Sequence, residues 1–104
     1  MEALIVDLPR FVKDASPSAM DSIFELIAER INIAAAYQRF CGTKLRSEGL
    51  SEYAQFKYQL MYDWACAEMN SAHHTAQRIC ELTGKTLRLH HDWASRRWGL
   101  EVSQ

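Results

Sequence analysis

Cysteine, glycine and net charge are all scarce here, and each scarcity removes a class of protein. There are three cysteines, Cys41, Cys66 and Cys80, in an odd number and with no Cys-x-x-Cys spacing. A disulfide framework is therefore not expected, and a reducing compartment, the cytoplasm, fits the chain better. The four glycines stand singly at positions 42, 49, 84 and 99, so no glycine-rich loop exists to cradle a phosphate, and no cofactor is expected. The net charge is −1, which calls for no polyanionic partner. No apolar run reaches the roughly 18 residues that a membrane-crossing helix needs. The segment Met1 to Asp7 has no basic flank, and its apolar run is too short for a signal peptide.

What remains is a globular composition, 48% hydrophobic and 24% charged over 104 residues. Such a length predicts one domain, 1–104. A domain this small buries a modest core, and self-association is a common way to add to it.

Breakers and caps divide the chain. Pro9 limits the apolar run Ala3–Val6, which reads as a short strand, a helical turn or an extended arm. Asp7 with Pro9 can start a short helix reaching Asp14. Ser16-Pro17 places a capping hydroxyl before a proline at the first helical position, and Asp21 adds charge that the helix dipole favours. Met20, Ile23, Phe24, Ile27, Ile31, Ala34 and Tyr37 then recur at helical spacing. With Gly42 as the stop, this predicts a first long helix over 17–41. After a polar connection, Ser51 caps a second helix that meets no glycine or proline from Glu52 to Thr83. At about 1.5 Å per residue it is roughly 48 Å long. Gly84 ends it. Thr86 then reads as the cap of a third helix over 87–98, ending at Gly99. The expected class is all-α: a small helical bundle of three main helices, with one long central helix and a short N-terminal arm.

The second helix is the informative element. At about 100° per residue, Tyr58, Met61, Tyr62, Ala65, Met69, Ala72, Ala76, Ile79 and Cys80 form one stripe running most of its length, expected to pack on the other helices. A second stripe, Tyr53, Phe56, Leu60, Trp64 and Ala67, lies well round the cylinder and gives way to Ser71, His74 and Arg78. The N-terminal half of this helix is thus apolar on two faces. Either the first helix and the N-terminal arm wrap the extra face, or it is exposed and meets a copy of the chain or a protein partner. Tyrosine, tryptophan and phenylalanine suit binding hot spots because they bury much area with few rotors. A long helix of this kind also suits a two-fold homodimer.

The C-terminal segment carries Leu87, Leu89, Trp93, Ala94 and Trp98 beside Arg88, Arg96 and Arg97. From Lys85 onward four basic residues stand against two acidic ones, +2, leaving −3 for the preceding 84. It reads either as tryptophans docked on the bundle with arginines in solvent, or as a second contact surface. A helix-turn-helix over 79–98 is the DNA-binding alternative, with Arg88, Arg96 and Arg97 meeting the duplex. Against it stand the slightly acidic molecule and the bulky His90 and Trp93 where such motifs carry small aliphatics.

Catalytic and metal chemistry find little support. His73-His74 and His90-His91 are adjacent pairs, whose members point about 100° apart on a helix, and the His-x3-His spacing is absent. A metal site would need one histidine of each pair and Cys80 brought together. Partly exposed, non-ligand histidines are expected instead, and at an interface they would make association pH-sensitive. Cysteine–histidine catalysis would have to pair Cys80 with His74 or His91, yet Cys80 falls on the core stripe, where thiols are usually inert. No metal and no catalytic residue are expected.

The short helical chain, the long central helix and the aromatic segment Glu52-Tyr-Ala-Gln-Phe-Lys-Tyr-Gln-Leu-Met-Tyr-Asp-Trp64 resemble the QslA-like quorum-sensing anti-activators of Pseudomonas, which bind the LuxR-type regulator LasR. The resemblance spans most of the chain without a motif match. It implies a non-enzymatic dimer that sequesters a transcription factor, blocking its dimerisation and DNA binding. Phage-encoded inhibitors of host proteins share this profile. The residues expected to carry partner binding are Tyr53, Phe56, Leu60 and Trp64.

Overall fold

The computed structural model describes residues 7–104; the strand, turn or arm expected at Ala3–Val6 lies outside the described residues. Three helices come first, α1 (Leu8–Asp14), α2 (Pro17–Leu45) and α3 (Glu52–Thr83). Each starts on a side-chain cap. Asp7 accepts from the Arg10 N–H, Ser16 from Ala19 and Ser51 from Ala54. Caps of this kind contribute about 1 kcal/mol each.

α2 does not stop at Gly42 but runs through it to Leu45. A glycine ends a helix only when it takes up the left-handed conformation. Gly42 stays helical, and Gly49 and Gly84 are the glycines with positive φ. At Gly84 (φ 68°) the motif is complete: its N–H donates to the Glu81 carbonyl and the Lys85 N–H to the Cys80 carbonyl. These two bonds satisfy carbonyls that the end of α3 would otherwise leave open.

α2 and α3 form an antiparallel helical hairpin, since contacts run in opposite order along the two: Arg30 with Glu68, Tyr37 with Trp64, Phe40 with Tyr58. The buried seam is largely of small residues, with three isoleucines at one end. Ile27, Ile31, Ala34, Ala35 and Cys41 of α2 meet Ala65, Ala72, Ala76, Ile79 and Cys80 of α3. The last five lie on the stripe expected to face the core.

Residues 87–98, expected as a third helix, are not helical. They belong to an antiparallel β-hairpin, β1 (Thr86–Asp92) and β2 (Arg97–Ser103), joined by the turn 93–96. The all-α class is corrected accordingly to a mostly helical chain with a two-stranded sheet. The reason is the period of the apolar residues. Leu87, Leu89 and His91 alternate on β1, and Trp98, Leu100 and Val102 alternate on β2. Across the ladder they pair as Leu87 with Val102, Leu89 with Leu100 and His91 with Trp98. All six are partly buried. A period of two places them on one face of a ribbon, and that face packs on Ile27, Ile31, Ala72, Ala76 and Ile79. The other face is polar, with Arg88 opposite Glu101. The turn is held by Asp92, whose carboxylate accepts from the Ala94 N–H and the Ser95 hydroxyl, both at 3.0 Å. Arg96 closes it at φ 57°.

One polar side chain ties the ribbon to the helices. Asn32 of α2 is buried, and its amide donates to the Trp98 carbonyl at 2.9 Å while its oxygen accepts from the Trp98 N–H at 2.6 Å. It therefore takes the place of a strand neighbour at the outer edge of β2. α1 and the ribbon together cover one part of the helical hairpin and leave other faces bare.

Candidate interaction face

The four residues singled out on the second helix all lie on the outside. Tyr53 is 77% exposed, Phe56 65%, Leu60 54% and Trp64 49%. Among the described residues little covers this stripe: α2 packs on the small-residue side of α3 and reaches the stripe through Tyr37, at Trp64. Wrapping by the N-terminal arm concerns residues outside the description.

A second exposed stripe was not singled out from the sequence. Leu26, Ile33, Tyr37 and Phe40 of α2 are also exposed. Their spacing of 7, 4 and 3 residues sets them on one flank of the helix. The signal was legible, but Tyr37 also continues the i, i+3, i+4 series of the buried side and masks it. The two stripes meet where the Tyr37 and Trp64 rings pack edge to face, with centroids 5.7 Å apart. Phe40 packs similarly on Tyr58 at 6.0 Å. The result is a continuous apolar face spanning both helices. Of the ten large hydrophobic side chains that are exposed among the described residues, only Phe11 and Trp93 lie away from it. Lys44 and Lys57 lean over the Phe40 and Tyr58 rings, each 5.6 Å from the centroid, and the Arg30–Glu68 ion pair (2.8 Å) lies beside the Tyr37–Trp64 contact. Lys57 lies within about 20° of the Trp64 meridian and Lys44 continues the α2 stripe past Phe40, so the face is apolar with basic residues at one end.

The C-terminal ribbon divides its tryptophans. Trp98 docks on the helices, while Trp93 sits in the turn, 84% exposed. His91 lies between them, 4.5 Å from each ring, with its Nδ1 buried and unpartnered. A helix-turn-helix over 79–98 is not formed, since β1 begins at Thr86 and no second helix follows.

Among the described residues no three histidine, cysteine, aspartate or glutamate side chains gather as a metal site would require. Burial pushes the Cys80 thiol above its ordinary pKa, an effect that Lys85 partly offsets. It is thus held protonated, the reverse of what an activated nucleophile needs. A cleft of about 600 Å³ between α1, the start of α2 and β2 is lined by Val12, Met20, Phe24, Leu100 and Val102, with Asp21, Glu25 and Lys85; neither histidine nor cysteine lines it. No described helix is long and apolar enough to cross a membrane.

Comparison with protein-family models, with curated proteins and with solved structures finds no match for this chain.

Proposed function

We propose that the chain is a non-enzymatic protein-binding regulator that docks through the aromatic face of α2 and α3, working in the cytoplasm. The observation that carries this is the face itself. Tyr53, Phe56, Leu60 and Trp64 continue into Ile33, Tyr37 and Phe40 through the Tyr37–Trp64 ring contact, with Lys57 and the Arg30–Glu68 pair beside it. Contiguous apolar patches of this kind mark interaction sites, because leaving them in water costs about 25 cal/mol per Å². The mechanism is steric: the face covers a surface that the target needs for its own assembly. The resemblance to anti-activators supplies the target class, a LuxR-type transcriptional regulator, whose dimerisation and DNA binding would be blocked.

The test is direct. The purified chain, mixed with a LuxR-type regulator such as LasR, is expected to co-elute with it and abolish its retardation of operator DNA. Phe56→Ala and Trp64→Ala should each weaken the complex by about 30-fold, the effect of truncating a hot spot of about 2 kcal/mol. Full binding by both variants would remove the face from the account. Co-elution with no DNA release would remove the steric mechanism.

A further inference from the structure

We propose that a hollow between the end of α2, the middle of α3 and the turn 93–96 binds a small organic polyphosphate of the nucleoside di- or triphosphate class. The site does not depend on the docking reading, although Phe40 and Lys44 border both.

Charge is the first argument. The hollow measures about 620 Å³ and is lined by Arg39, Lys44, Arg46 and Arg96; among the described residues no carboxylate lines it. Four of the chain's eight arginines, Arg30, Arg78, Arg88 and Arg97, reach a carboxylate within 4.0 Å. Of the other four, three meet in this hollow. Arg39 comes from α2 and Arg96 from the hairpin turn, so it is the fold that gathers them. The chain carries more acidic than basic residues, yet these cations face one another without a counter-charge. Like charges so placed repel, and an anion between them relieves the repulsion.

Two backbone choices point to the same place. Arg96 holds φ 57°, a left-handed conformation that glycine or asparagine adopts at lower cost. Strain of this kind gathers at ligand clamps. Gly42 lies inside α2, where only proline is a poorer helix former. It lines the hollow, and a Cβ built on it would lie 3.5 Å from Arg46 Nη1 and 3.7 Å from Tyr62 Cε2. A guanidinium and a ring edge therefore converge over bare backbone, and a side chain larger than alanine's would grow into the space between them. Local rules broken together in one spot are the mark of a functional site.

Chemistry names the ligand. Guanidinium groups match phosphate oxygens with paired N–H donors, and several of them suit several phosphates. Phe40 and Tyr62 add aromatic walls, on which a planar base can stack. The volume falls within the roughly 300–1,000 Å³ of small-molecule sites. A long nucleic acid fits less well. The adjoining hollow shares Arg39 and Arg96 but is lined by Glu29, held by Arg97 at 2.8 Å, which interrupts a basic track.

Isothermal titration calorimetry of the full chain with ADP at low salt tests this, with inorganic pyrophosphate and a single-stranded oligonucleotide as further arms. ADP is expected to bind with a Kd below about 100 µM, and pyrophosphate, lacking the base, about tenfold more weakly. Arg96→Gly should weaken ADP about tenfold while the melting temperature stays level or rises, because glycine relieves the turn. Arg39→Gln, at an exposed position, should weaken it similarly and keep the wild-type circular dichroism. No binding of ADP up to about 2 mM overturns the proposal. ADP binding that both variants leave intact also overturns it, because other cations then hold the phosphates. Pyrophosphate as tight as ADP overturns the nucleotide class. An oligonucleotide about a hundredfold tighter than ADP overturns the small ligand in favour of nucleic acid. The docking face is tested separately, through Phe56 and Trp64.

Discussion

Asn32 shows how much one side chain decides. It sits inside α2, where asparagine is a mediocre helix former, yet it supplies the only buried polar side chain among the described residues and meets both backbone groups of Trp98. Asn32→Ala leaves the Trp98 N–H and carbonyl without partners at a buried edge. The expected cost is about 2 kcal/mol, since an unsatisfied buried group loses more than a bond's net worth, and urea unfolding measures it. The neighbouring Arg97–Glu29 pair is 2.8 Å long but exposed, so Glu29→Gln should change stability by less than about 1 kcal/mol. Asp92 sets a pH dependence. Hydrogen bonds from Ser95 and then Ala94 lower its pKa below the ordinary carboxylate value. A native pKa below the unfolded one means that the turn's stabilisation is complete above about pH 4 and is lost as pH falls through the lowered native value. The difference in stability between wild type and Asp92→Asn, measured by urea unfolding, should therefore be constant from pH 7 to about pH 5 and shrink only in the acid range.

At the scale of elements, the three helix starts and the end of α3 were legible because each is a local event. Ser16-Pro17, Ser51 and Gly84 act through hydrogen bonds to residues within four positions. The end of α2 was not, because a glycine is only permitted to stop a helix, not compelled to. A Cβ built at Gly42 would lie 3.5 Å from Arg46 and 3.7 Å from Tyr62, ordinary contact distances. Gly42→Ala should thus raise stability by up to about 1 kcal/mol, seen as a higher melting temperature. The C-terminal ribbon was misread for a different reason. Leu87, Leu89, Trp93, Ala94 and Trp98 suit a helix as a composition, and the strands carry few β-branched residues. The alternation of Trp98, Leu100 and Val102 was nevertheless present, and it depended on treating Gly99 as a strand position rather than a terminator. Correcting it removes any second helix from 79–98.

For the whole molecule, the balance lies between a thin alanine-rich seam and a broad aromatic exterior. If the native state is a dimer, folding and association are one equilibrium, and stability rises with concentration. The melting temperature is expected to fall over a hundredfold dilution series, and Trp64→Glu should abolish that dependence. A wild-type melting temperature indifferent to concentration would count against a shared core.

The sequence by itself determined where helices begin, which stripe of α3 is buried, and that Tyr53, Phe56, Leu60 and Trp64 share a different meridian. Those are consequences of capping chemistry and of the 3.6-residue turn, both readable within a few positions. Only the tertiary structure decided that Thr86–Asp92 and Arg97–Ser103 pair as strands, that Asn32 stands in for a strand neighbour, and that Tyr37 joins the α3 stripe to one on α2. Each of these sets residues tens of positions apart against one another, and no local periodicity encodes which distant surface a side chain will meet.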